Sequence, residues 1–159
     1  MRRMPDFNTD MEKYGKLGEE IFLKEYSNLD IKDVRDNSWY QNKDIDFVVN
    51  HKDRQIKVEV KTDTMAYRTG NLIYEVIAHN SCGWGMITKA DYIYEVLIDD
   101  CMQVVKTIML DLKKWKQFIR DRKAPKRINW KRDSDTVNLL CNIDELHAFG
   151  AIIREKTYE

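Results

Sequence analysis

The chain has 159 residues, 34% charged and 43% hydrophobic, enough for one domain with a substantial core and unlike a disordered chain. No apolar run approaches the roughly 20 residues that span a bilayer, so no membrane association is expected. The N-terminus MRRMPDFNTD is basic but lacks an apolar stretch, which argues against a secretory signal and for a cytoplasmic setting. Lys+Arg and Asp+Glu both number 27, giving zero formal net charge, which at first argues against a polyanionic partner. In chain order, a helix is predicted from about Asp10, its N-cap, to Leu29, with Met11, Tyr14, Gly18, Ile21, Phe22 and Leu29 on one broad face. Strands are predicted at Asp44–Val49 and Gln55–Lys61, then at Leu72–Ala78, Met86–Thr88, Tyr92–Ile98 and Val104–Met109. A helix follows from Asp111 to about Arg122, closed by Pro125. A short strand at Val137–Cys141 and a last helix at Asp144–Phe149 before Gly150 complete the chain. This order suggests a mixed α/β (α+β) fold, a central mixed sheet flanked by helices.

Cys82, Cys101 and Cys141 are scattered, with no C-x-x-C, and His51, His79 and His147 are far apart. Neither a disulfide framework nor a zinc site is expected, and three thiols suit a reducing compartment.

The charge is unevenly distributed. Residues 1–112 hold 15 basic and 20 acidic residues, and residues 133–159 hold 2 and 6. Between them, Lys113–Arg132 holds 10 basic residues against the single acid Asp121. This basic helix and loop, with Lys113, Lys114, Lys116, Arg120, Lys126, Arg127, Lys131 and Arg132, is the candidate contact to a phosphate backbone. Its aromatics Trp115, Phe118 and Trp130 have two readings: they pack against bases, or they turn to the core.

The most informative stretch is the hairpin. In Gln55–Lys61, Ile56, Val58 and Val60 alternate with Lys57, Glu59 and Lys61. With the turn centred between Lys52 and Asp53, Phe47 meets Val58, Val49 meets Ile56 and Ile45 meets Val60. On the reverse face Asp46 meets Glu59 and Asp44 meets Lys61. Like charges directly opposed destabilise a sheet unless something neutralises them. A divalent cation does so, because Mg²⁺ is typically held by one or two carboxylates together with waters and phosphate oxygens. Lys61, two residues past Glu59, reaches the same place. The Asp44–Lys61 pairing points to a salt bridge and makes Asp44 the weaker ligand candidate.

Asp46 with Glu59-Val60-Lys61 resembles the signature of the PD-(D/E)XK nuclease superfamily. The run Tyr14–Phe22 resembles the G-x-x-G-E element that precedes the hairpin there. Lys61–Thr64, Thr69–Glu75 and Gly83–Tyr92 resemble a phage and mobile-element branch. Ile45 stands where the motif's Pro would be. The resemblance implies a restriction-endonuclease-like core over a single domain, 1–159, and Mg²⁺- or Mn²⁺-dependent endonuclease hydrolysis of phosphodiester bonds, with DNA favoured over RNA. Asp46 and Glu59 would bind metal, the Val60 carbonyl would complete the protein's share, and Lys61 would assist the attacking water. Of the adjacent helical acids, Glu19 lies roughly 80° from the centre of the apolar stripe and Glu20 roughly 180°, so Glu19 is the candidate water-mediated or second-metal ligand. Glu75 reads equally as a site or a structural residue, and Asn71 as a turn residue. Homodimerisation is compatible with cutting two strands. The alternative is a non-catalytic nucleic-acid-binding module that keeps a nuclease fold.

Overall fold

The computed structural model describes residues 7–121, 126–129 and 136–159, with side chains from residue 12 onward outside 122–135. The elements are α1 (Phe7–Glu25), β1 (Asp30–Asp33), α2 (Ser38–Gln41), β2 (Phe47–His51), β3 (Arg54–Asp63), α3 (Ala66–Thr69), β4 (Asn71–Ala78), β5 (Ser81–Cys82), α4 (Trp84–Ile87), β6 (Tyr92–Ile98), β7 (Val104–Asp111), α5 (Leu112–Asp121), β8 (Lys126–Asn129), β9 (Val137–Asn142), α6 (Ile143–Phe149) and β10 (Ile152–Thr157).

A six-stranded sheet runs β1-β2-β3-β6-β7-β10, mixed because β3 and β6 are parallel and every other pair is antiparallel. The chain therefore has the expected mixed α/β fold with a central mixed sheet and flanking helices. A second sheet, β5-β4-β9-β8, was not expected.

The central sheet carries a core on each face. On one, Phe22 of α1 packs with Phe47, Val49, Val58, Val60, Tyr94 and Val96. On the other, Val48, Ile93, Leu97, Ile108 and Leu110 meet Leu72 and Tyr74 of β4, Trp115 and Phe118 of α5, and Leu146 of α6. Period-two alternation along β2, β3 and β6 feeds both cores.

The hairpin register is as predicted, with Phe47 opposite Val58 and Val49 opposite Ile56. Lys52 and Asp53 have φ of 45° and 62°, the positive values of a two-residue turn matched to strand twist. The start of the hairpin differs. Asp44 has φ 47°, which breaks the expected Asp44–Val49 strand, and β2 begins at Phe47. Ile45 is consequently buried in the β4/α5 core, the face opposite Val60, so the expected Ile45–Val60 pair does not form.

Met86–Thr88 is also corrected, since α4 is a short helix. The cause is the pair of glycines. A Cβ on Gly83 or Gly85 would lie 2.7 or 2.6 Å from the Glu75 carbonyl oxygen, so their bareness lets this turn press onto β4. Glu75 Oε1 accepts the Trp84 N–H at 3.1 Å, which gives Glu75 its structural role. Asn71 is the first residue of β4 rather than a turn residue, and Gly70, with φ 71°, makes the turn. The predicted N-cap of α5 holds: Asp111 Oδ1 accepts the Lys114 N–H. Pro125 lies outside the described residues.

Candidate active site

The site sits where β2 begins against β3. The Asp46 N–H donates to the Val58 carbonyl at 3.0 Å, although Val58 is the register partner of Phe47. Two residues thus stand against one, the geometry of a β-bulge, which re-aims a side chain. The Asp46 carboxylate replaces the missing ladder, its Oδ2 accepting the Val60 N–H at 2.9 Å. In an extended strand the N–H and C=O of one residue point to the same side, so the Val60 carbonyl also faces the Asp46 end of the hairpin.

Glu59 points to the face away from α1 and is only 6% exposed. Its Oε1 lies 2.7 Å from Lys61 Nζ, and its Oε2 is buried and meets no N–H or hydroxyl donor. Burial, opposed by Lys61 and reinforced by Asp46, pushes the Glu59 carboxyl up to about 8. Burial also raises Asp46, against the Val60 N–H and Lys61. Burial works against the Lys61 ammonium, yet the Glu59 carboxylate prevails and its pKa moves up. Lys61 Nζ also lies 5.3 Å from the centre of the Trp84 ring. The expected Asp44–Lys61 salt bridge is replaced by the Glu59–Lys61 pair because Asp44 has left the strand.

Glu19 is half-buried and Glu20 is exposed, as helical geometry predicts. Glu19 is engaged: Arg35 Nη1 donates to its Oε2 at 2.5 Å, while Arg35 Nη2 holds Asp33 at 2.6 Å. Asp33, then Glu19, raise the Arg35 guanidinium, which also acts electrostatically on Asp46. Arg35 is thus the link between the helical acid and the hairpin.

Sequence reasoning missed two acids. Glu95 on β6 is the register partner of Lys61 and is 2% exposed. Burial first, then Asp63, push it to about 8, with Lys61 opposing. Buried Asp63, also raised by burial, accepts the Met65 and Ala66 N–H groups. The signal was present, since Glu95 is the one acid in the apolar run Tyr92–Ile98.

Of the basic candidates, Lys113, Lys114, Lys116 and Arg120 lie on α5 and Lys126 and Arg127 on β8, whereas Lys131 and Arg132 lie outside the described residues. Trp115 and Phe118, at 0% and 2% exposure, belong to the core, so they do not offer base-packing surfaces. Trp130 lies outside the described residues. No family model, curated protein or solved structure matches this chain.

Among the described residues no group of three or more His, Cys, Asp or Glu side chains is placed to hold a metal. The arrangement is a carboxylate pair with a backbone carbonyl beside it. These are hard oxygen donors, and the buried Glu59 carboxyl, whose Oε2 meets no N–H or hydroxyl donor, lies against the Asp46 carboxylate. Such a set fits Mg²⁺ or Mn²⁺, which take few protein ligands and retain waters, and does not fit zinc.

Proposed function

We propose that this chain is a metal-dependent nuclease of the PD-(D/E)XK type that hydrolyses phosphodiester bonds, with DNA as the favoured substrate. The observation that carries the reading is the pair of buried carboxyls, Asp46 and Glu59, hydrogen-bonded to each other and raised by burial beside Lys61. Asp46, Glu59 and the Val60 carbonyl would hold Mg²⁺ or Mn²⁺, which when bound lowers the pKa of water and offsets phosphate charge. Lys61 supplies a cation at the same phosphate and orients the attacking water. Asp46 accepts the Val60 N–H and a hydrogen bond from the Glu59 carboxyl, and Glu19 is tied to Arg35, which in turn acts electrostatically on Asp46. The cations of α5 hold the substrate backbone. Among the described residues no helix is long and apolar enough to cross a membrane, and the exposed free thiols Cys82 and Cys101 favour a reducing, cytoplasmic setting.

The test is cleavage across duplex, single-stranded, flap and four-way-junction DNA, and matched RNA, with Mg²⁺ or Mn²⁺. Wild type cuts at least one substrate, chelator abolishes cutting, and Asp46→Ala with Glu59→Ala is inactive. Activity that survives the double substitution removes the assignment. Binding without cutting under either metal supports the non-catalytic alternative.

A further inference from the structure

Beyond the carboxylate site, α4, β4, α5 and β9 enclose a groove of about 400 Å³, within the size range of small-ligand sites. Tyr74, Val76, Met86, Ile119 and Leu139 form an apolar lining, and Lys116 and Arg120 stand among them. Met86, which lines the groove, is 54% exposed. Lys89, Lys116 and Arg120 make no ion pair among the described residues. Burial, then Lys89 and Arg120, lower the Lys116 pKa, so these three cations share one field. Gathered cations complement an anion, and the described residues that line this groove include no carboxylate.

The groove adjoins the proposed catalytic site. Lys61 Nζ lies over the Trp84 ring, Trp84 packs at a tilt against Tyr74 with ring centres 5.3 Å apart, and the next two residues of α4, Gly85 and Met86, line the groove. The two places thus share Trp84 as a common wall. A base within a duplex has both faces covered by its neighbours and cannot enter a concave slot. An unstacked base presents a flat face to apolar side chains while its phosphates remain outside with the cations.

We infer that this groove takes an unstacked nucleobase of a single-stranded or locally opened polynucleotide, with Lys116 and Arg120 on the flanking phosphates. This rests on the nuclease reading only for the substrate's chemistry, and the test separates the two. Binding of labelled oligothymidylate and of a blunt duplex of matched length is measured by anisotropy on the Asp46→Asn protein. Variants carry, in addition, Met86→Glu, Met86→Leu, or Lys116→Ala with Arg120→Ala. Thermal denaturation verifies folding. The expected results are tighter binding of the single strand and a loss of about tenfold for that probe in Met86→Glu. Met86→Leu restores the affinity, and the double alanine variant flattens the salt dependence by about two counterions. Equal losses for strand and duplex, or unchanged single-strand binding in Met86→Glu, overturn the groove. Wild-type cutting that persists in that case leaves the nuclease reading intact. Base capture by a protein that cuts nothing with either metal removes the nuclease and keeps the groove.

Discussion

Lys61 Nζ lies 2.7 Å from Glu59 Oε1, while the same buried carboxyl also hydrogen-bonds the Asp46 carboxylate. One ammonium thus stands in a setting where burial already disfavours the carboxylate charge. The lysine is the counter-charge that these two buried carboxyls share.

Lys61→Met therefore exposes the cost of that arrangement. Without the ammonium the Glu59 carboxyl rises further and keeps its proton near pH 8, so the variant without added metal should lose no more than about 1 kcal/mol there. Mn²⁺ should then raise the midpoint of the variant more than that of wild type, because the ion supplies the missing charge. Urea denaturation with and without Mn²⁺ reads both effects. An equal Mn²⁺ increment in the two proteins contradicts binding at Glu59.

Glu95 gives a pH prediction. Its folded value of about 8 lies above its ordinary value of 4.5, chiefly because of burial. The folded state then binds a proton that the unfolded state releases. Stability from this group is full below about pH 4.5 and declines until about pH 8. Glu95→Gln keeps the shape without the charge. It should be close to wild type at pH 5 and more stable at pH 8 by about 2 kcal/mol. Denaturation midpoints across that range test it, and parallel pH profiles for the two proteins count against it.

The hairpin was legible because its determinants are local. Alternation defines the two faces of β3, and the Lys52–Asp53 turn defines the register. The bulge at Asp46 was not legible, since it follows from a positive φ at Asp44 that no pattern announces. The second sheet was hidden for a different reason: Asn71 pairs with Asn142 across half the chain, and no local period encodes that meeting. Edge strand β10 escaped because five of its six residues are exposed and carry no alternation. At the site, the residues Asp46, Glu59 and Lys61 were readable from spacing. Their pairing was not, because Lys61 chose Glu59 once Asp44 had turned away.

The α5 helix separates core from surface on one element. Trp115 is fully buried against Tyr74 and Trp84, and Trp115→Ala should cost about 3–5 kcal/mol. Lys113 and Lys114 are exposed, and their joint replacement by Ala should leave the denaturation midpoint nearly unchanged while weakening DNA binding at low salt. Chemical denaturation paired with a salt titration of binding distinguishes the two classes. A Trp115 variant of full stability with reduced binding would reverse the assignment of that ring to the core.

Two glycines of α1 should respond oppositely to the same change. A Cβ on Gly18 would lie 2.4 Å from Thr62 Cγ2 and 3.4 Å from Val60 Cγ1, whereas nothing lies within 4 Å of one on Gly15. Alanine improves helix propensity by about 1 kcal/mol at either position. At Gly18 that gain is opposed by overpacking against a β-branched side chain that has little rotamer freedom. Gly18→Ala should therefore be destabilising by about 1–2 kcal/mol, and Gly15→Ala stabilising by up to about 1 kcal/mol. The consequences extend to the site, because Gly18 seats α1 directly on Val60 and Thr62, the residues that flank Lys61. Divalent-ion affinity should fall in Gly18→Ala and hold in Gly15→Ala, measured by Mn²⁺ titration calorimetry on both. Equal affinities in the two variants would mean that the seat of α1 does not set the geometry of the carboxylate pair.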